Sequence, residues 1–131
     1  MKFKPGDTAS LSKTISDNDI RAFADATGDR NPLHLDEEFA KQTRFGRRIA
    51  HGMLSASLIS AVIANELPGQ GSIYLGQTLQ FVAPVVPGDT VTARVTVSTI
   101  RVDKPILKLE TVCTNQRNEV VIRGEATVLI S

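Results

Sequence analysis

The segment Gly28–His34, with the sequence GDRNPLH, carries the residue types best suited to chemistry in this chain of 131 residues. Asp29 and His34 are five positions apart, and Pro32 restricts the backbone between them. We expect a loop over 29–35, because a loop can turn both side chains toward one point and a helix cannot at this spacing. A carboxylate and an imidazole form a competent general acid–base pair near neutral pH.

The other histidine, His51, stands directly before Gly52, where a long apolar stretch begins. If a helix starts there, its free backbone amides and its dipole favour a developing negative charge. A carboxylate, an imidazole and a helix N-terminus are what enolate chemistry next to a thioester needs. The sequence therefore predicts that the two histidine segments meet in one site.

Two other interpretations of these residues stay open. In the first, Asp29 closes a turn or caps the next helix, and His34 is an ordinary packed residue. In the second, Asp29, His34, Asp36 and His51 bind a metal as a set of two histidines and carboxylates. Nothing else in the sequence points to iron or zinc, so we expect no metal and no cofactor.

Composition and charge narrow the class of protein. A formal net charge of +1 argues against a nucleic-acid surface, which needs clustered basic charge. The densest basic run, Arg44 with Arg47 and Arg48, is either a solvated loop or an anion-binding element. The single cysteine, Cys113, excludes an internal disulfide, and we expect it to be buried and inert in a cytoplasmic protein. No apolar stretch is long enough to span a membrane, and the first 11 residues lack the apolar core of a signal peptide.

Hydrophobic periodicity divides the chain into a helical half and a half made of strands. The helix that starts near His51-Gly52 should end near Leu67 and is apolar nearly all round, so it should be surrounded by protein. The result is a single α+β domain over residues 1–131, with a central helix wrapped by a curved antiparallel sheet. The other predicted helices are one capped by Ser16 and ended by Thr27-Gly28, and one from Glu37 to about Thr43 capped by Asp36. The predicted strands lie within 4–13 and over 72–82, 90–98, 106–114 and 120–130.

Two segments closely resemble the signature of the MaoC-like, R-specific enoyl-CoA hydratases: Phe23–Asp36 and Phe45–Ala56. The resemblance continues through Ser72–Gln77 and Val86–Asp89 and covers essentially the whole chain. It implies a hot-dog fold, a homodimer and the reversible addition of water to trans-2-enoyl-CoA, giving (R)-3-hydroxyacyl-CoA. It also implies a place in fatty-acid metabolism or in the supply of polyhydroxyalkanoate precursors.

The resemblance also implies a role for each site residue. Asp29 and His34 would be the catalytic pair that holds and activates water, and Asn31 would order the site. The amide of Gly52 would donate to the thioester oxygen. Ser60 would orient Asp29, with Ser57 as a weaker alternative. Two other functions stay open: a 3-hydroxyacyl-[acyl-carrier-protein] dehydratase of the same fold, and a non-catalytic protein that binds acyl thioesters.

Overall fold

Capping residues set the ends of the first and third helices in the computed structural model, which describes residues 2–130. Helix α1 (Asp17–Thr27) begins with a capping box: the Ser16 hydroxyl accepts from the Asp19 amide, and the Asp19 carboxylate accepts from the Ser16 amide. Gly28 ends α1 at a φ of 81°, a left-handed conformation that favours glycine. Both boundaries agree with the prediction.

A short helix, α2 (Pro32–Leu35), lies where the sequence predicted a loop. The Asn31 side chain accepts from the Leu33 amide at 3.0 Å and so caps this single turn. Pro32 occupies the first helical position, where its missing N–H costs nothing. Helix α3 (Glu37–Lys41) follows, capped by Asp36 as predicted. The catalytic candidate His34 therefore sits on a helical turn, which fixes its direction better than a loop would.

The long helix α4 (Gly52–Asn65) packs one face against the sheet. Ile59, Val62 and Ile63 on that face are almost fully buried. The opposite face exposes a stripe of residues spaced four, three and four apart. The members of this stripe, which we call the α4 stripe, are Met53, Ser57, Ser60 and Ala64. The expectation that protein surrounds this helix is therefore wrong within one copy of the described chain, because the sheet covers only one side.

Six antiparallel strands form one sheet in the order β1-β4-β5-β6-β2, and β3 pairs with β6. Alternation in β4 buries Val91, Ala93, Val95 and Val97 against α4, as its period-two pattern predicts. The α+β class is confirmed. The strands are β1 (Thr8–Thr14), β2 (Ser72–Gln77), β3 (Gln80–Phe81), β4 (Thr90–Ile100), β5 (Ile106–Thr114) and β6 (Val120–Ile130).

The strand predicted over 72–82 is divided into β2 and β3 by Thr78 and Leu79. The Thr78 amide donates to the Glu125 carbonyl at 2.9 Å, and its hydroxyl accepts from the Glu125 amide at 3.0 Å. These bonds hold the connection against β6 and turn the chain toward the N-terminus of α4. Alternation of side chains along 72–82 does not encode this break, because it depends on a partner 47 positions away.

Cys113 on β5 is fully buried, and burial raises the pKa of its thiol to about 12. Since the thiolate is the reactive form, this thiol is inert, as expected from the sequence. Within residues 2–130, no helix combines the length and the apolar character needed to cross a membrane.

Candidate active site

The loop after α1 presents Asp29 to solvent and holds its backbone on both sides. The Asp29 amide donates to the Thr27 hydroxyl at 3.2 Å, and the Asn31 amide donates to Asp29 Oδ1 at 3.4 Å. Asn31 also caps α2, so it fixes the path of the chain between Asp29 and His34. The other carboxylate oxygen, Oδ2, has no hydrogen-bond partner among residues 2–130.

His34 is held in one tautomer. Its Nδ1 lies 2.8 Å from the carbonyl oxygen of Ile49, which can only accept, so Nδ1 carries the proton. Nε2 then carries the lone pair, and it has no hydrogen-bond partner among residues 2–130. The imidazole is therefore oriented and ready to accept a proton at a defined atom.

The segment before α4 supports His34 from a second direction. The Arg48 guanidinium, mostly buried, donates through Nε to the His34 carbonyl at 2.8 Å and through Nη2 to Asp17 at the start of α1. The guanidinium of Arg48, followed by that of Arg21, holds the pKa of the Asp17 carboxyl below its usual value. Of the two interpretations of the basic run, neither fits Arg48, which is a structural tie between α1, α2 and this segment.

His51 brings the two predicted segments together. Its Nε2–H donates to the Asp29 carbonyl at 2.9 Å, and its ring stacks on that of His34 with centroids 3.9 Å apart and planes 29° apart. The side-chain ligand atoms of Asp29, His34 and His51 all lie within 4.8 Å of one another. Asp36 is not in this cluster, because its carboxylate caps α3.

The same three side chains are also a set that could ligate a metal ion. His34 Nδ1 and His51 Nε2 are engaged with carbonyl oxygens, which leaves His34 Nε2 and His51 Nδ1 without a partner among residues 2–130. Imidazole binds a metal in the plane of its ring, and here the two rings are stacked with planes 29° apart. The oriented imidazole of His34 close to the Asp29 carboxylate suits acid–base chemistry.

A cleft of about 450 Å³ lies against these residues, and the N-terminus of α4 forms part of its wall. Within the described chain, the Gly52 amide has no hydrogen-bond partner, as expected for the first turn of a helix. The Phe81 ring packs directly over Gly52, where an added Cβ would approach two ring carbons to 2.6 Å. Glycine at this position allows the aromatic wall of the cleft to close on the helix. Asp29, His34 and Gly52 therefore share one cleft.

Ser60 is not brought to Asp29 within this chain. It is exposed on the α4 stripe and lines a separate groove together with Ser57, Tyr74 and Leu75. No hydrogen bond joins Ser60 or Ser57 to Asp29 among residues 2–130; Ser57 donates instead to the Leu54 carbonyl. The geometry of one chain thus gives the orienting role expected of Ser60 no support.

Residues 3–120 match the family model of the MaoC-like domain. The chain belongs to the MaoC-like family. Relatives of this MaoC-like protein include hydratases and dehydratases, which are hydro-lyases. An (R)-specific enoyl-CoA hydratase of Rhodospirillum rubrum is 53% identical over 97% of this chain and 88% of its own length.

The crystallised (R)-hydratase of Aeromonas caviae, described as involved in PHA biosynthesis, superposes with a TM-score of 0.96 at 48% identity. That alignment covers 99% of this chain and 98% of the other, and it confirms the hot-dog fold. A mitochondrial 3-hydroxyacyl-[acyl-carrier-protein] dehydratase of Arabidopsis thaliana is 38% identical over 97% of this chain and 77% of its own length. The names of these relatives therefore refer to two thioester carriers, coenzyme A and the acyl carrier protein.

Arg48, His51 and Phe81 are site residues whose roles the sequence did not reveal. The contacts of Arg48 and Phe81 join segments far apart in the chain, and no local pattern encodes them. A signal did exist for His51: each histidine of the chain lies within one of the two signature segments, at or just before the start of a helix. That placement predicted a shared site, but not the stacking that assembles it.

Proposed function

We propose that this chain is an (R)-specific enoyl-CoA hydratase, with Asp29 and His34 as its catalytic pair. The observation that carries the proposal is the meeting of Asp29 and the singly oriented His34 at a cleft formed by the N-terminus of α4. The relative from Rhodospirillum rubrum bears this activity in its name, and the Aeromonas caviae structure is named an (R)-hydratase. We also propose a cytoplasmic location, with which the single, buried and free Cys113 is consistent.

The chemistry follows from the positions of these groups. Water held between the Asp29 carboxylate and His34 Nε2 gives a proton to the pair, and its oxygen forms a bond to C3 of the enoyl thioester. The C2–C3 double bond becomes single, and negative charge develops on the thioester oxygen. The Gly52 amide donates to that oxygen, a type of contact worth ~3–4 kcal/mol when comparable donors are removed. A proton from the same pair then goes to C2, so no net proton is consumed.

Addition of crotonyl-CoA tests this function directly. We expect the enoyl-thioester absorbance to fall when the protein is added. The same fall should occur with protein that has first been treated exhaustively with a metal chelator. Coupling the product to an R-specific dehydrogenase should give a strong signal, and coupling to an S-specific one should give little. No loss of absorbance would refute the hydratase, while a strong S-specific signal would refute its stereochemistry.

We also propose that the protein is a homodimer. Strand β2 is an edge of the sheet, and Ile73, Tyr74 and Leu75 on it are exposed beside the α4 stripe. An apolar sheet edge next to an unpartnered helix face needs cover, since such edges otherwise promote aggregation. A second copy that pairs with β2 and covers the α4 stripe would satisfy both features at once.

Leu75→Lys should weaken this dimer. Leu75 is half exposed and lines the groove between β2 and α4, so a lysine there would bring a charge into the apolar contact. We expect the dissociation constant of the dimer to rise at least about ten-fold. Light scattering over a dilution series measures it, with Val102→Lys as the matched control because Val102 is fully exposed elsewhere. A wild-type monomer, or equal behaviour of the two variants, would contradict the proposal.

Arg44 offers a test of the thioester carrier. It is exposed, lines the cleft and lies over the Phe45 ring at 5.1 Å. It has no ion pair among the described residues, so its N–H groups can contact a phosphate of the carrier. Arg44→Gln should raise KM for crotonyl-CoA about two- to five-fold, the effect of one exposed charge contact. KM for the N-acetylcysteamine thioester, which lacks phosphates, should not change. The control is Arg47→Gln in the same exposed loop, and equal effects of the two variants would argue against a specific contact.

A further inference from the structure

The His51 side chain contacts both halves of the proposed catalytic pair. It is 2% exposed, and it lies between the Phe23 ring, at 4.9 Å between centroids, and the His34 ring, at 3.9 Å. Its Nε2–H donates to the Asp29 carbonyl oxygen at 2.9 Å. One buried ring thus binds the backbone of Asp29 and stacks on the imidazole of His34.

Hydrogen bonding defines the donor atom of His51. The Asp29 carbonyl can only accept, so Nε2 carries a proton. Nδ1 is buried and has no partner among residues 2–130. The Nε2–H group binds the backbone of Asp29 and the ring face lies on His34, so the contacts of His51 act on the catalytic pair.

We propose that His51 is a positioning residue with two separable functions. Its hydrogen bond fixes the backbone of Asp29, and its ring face fixes the plane of His34, so that the Asp29 carboxylate and His34 Nε2 meet at one water. The inference rests on the hydratase proposed above. A displacement of about 1 Å in such a pair can cost up to about 10²-fold in rate.

Three substitutions separate the two functions. His51→Gln keeps an N–H donor near the position of Nε2 but removes the stacked ring. His51→Phe keeps the ring and removes the donor, and His51→Leu removes both. We expect kcat for crotonyl-CoA to fall about ten-fold in each of the first two and about a hundred-fold in the third, with KM little changed.

A stability control accompanies these kinetics. Val62→Ala makes a cavity in the buried face of α4, and Val62 has no hydrogen bond or ring contact with the site. Thermal unfolding of all four variants shows whether loss of stability alone explains a fall in kcat. If Val62→Ala loses as much kcat at equal destabilisation, or if the His51 variants raise KM and keep kcat, the positioning role is wrong.

A measurement independent of activity separates this inference from the proposed function. In wild-type protein with ¹⁵N-labelled histidine, NMR should show His34 as the Nδ1–H tautomer and His51 as the Nε2–H tautomer. In His51→Gln, loss of the stacked ring should let the His34 ring signals broaden or average. Unchanged His34 signals in His51→Gln and His51→Leu would overturn the inference, whereas a wild-type protein with these tautomers and no hydration of crotonyl-CoA would overturn only the function.

Discussion

Replacement of Asp29 by Asn, or of His34 by Gln, should lower kcat for crotonyl-CoA about 10²- to 10⁴-fold, the usual cost of losing a positioned general acid or base. Asn has the shape of Asp and cannot take a proton from water. The fold should survive, because Asp29 is exposed and neither residue belongs to the hydrophobic core. Steady-state kinetics with thermal unfolding of each variant measures both effects.

A second His34 variant sharpens the test. His34→Asn places an N–H near the position of Nδ1, where it can still donate to the Ile49 carbonyl, and it removes Nε2. Its stability should therefore stay closer to wild type than that of His34→Gln, while its kcat should be as low. Asp25→Asn is the matched control, because Asp25 is an exposed carboxylate of the same region that pairs with Arg30 at 2.9 Å.

The double variant Asp29→Asn/His34→Gln should be little worse than either single one. If the two side chains act on one water, the first substitution already removes the step that the second would impair, so their losses do not add. Near-normal turnover in Asp29→Asn would contradict the catalytic assignment. Losses that follow the unfolding temperatures would restore the interpretation of Asp29 and His34 as turn and packing residues.

Local chemistry made much of the fold predictable. The Ser16 capping box, the left-handed Gly28 and the alternation of β4 each depend on neighbours within a few residues, and all three agree with the structure. The Pro32 turn was predicted as a loop, because a four-residue helix is too short to give a period. Local sequence patterns therefore predict where most helices and strands lie, but they miss the short helix that carries His34.

Long-range contacts explain what could not be predicted. Arg48 joins His34 to Asp17, and its contact with Asp17 spans 31 positions. The other members of its basic run, Arg44 and Arg47, suggest a solvated loop. The α4 stripe shows the same limit in another form. Its residues are apolar or small, so the sequence indicates burial, but one chain does not supply the partner. The pairing of Asp29 with His34 was found because both lie in one short segment.

Gly124 on β6 should be the least tolerant glycine of the sheet. A Cβ added there would lie 1.8 Å from the Thr78 carbonyl oxygen and 2.7 Å from its carbon, both of them backbone atoms. Thr78 cannot move away freely, because it is hydrogen-bonded to the Glu125 backbone and its carbonyl accepts from Nε2 of the Gln77 side chain at 2.7 Å. Glycine is required here for close approach of two backbones.

Gly124→Ala should therefore lower the free energy of unfolding by about 1–3 kcal/mol or more, as for other overpacked sites. Thermal unfolding at fixed protein concentration measures this loss, with Val102→Ala as the control because Val102 is fully exposed and lies outside the proposed dimer contact. Residual folded Gly124→Ala should also hydrate crotonyl-CoA more slowly than Val102→Ala. The reason is that Thr78 leads directly into β3, so a shift of Thr78 moves the Phe81 ring from its place over Gly52. Equal unfolding temperatures for the two alanine variants would show that the Thr78 backbone yields, and the close approach would then not fix the wall of the cleft.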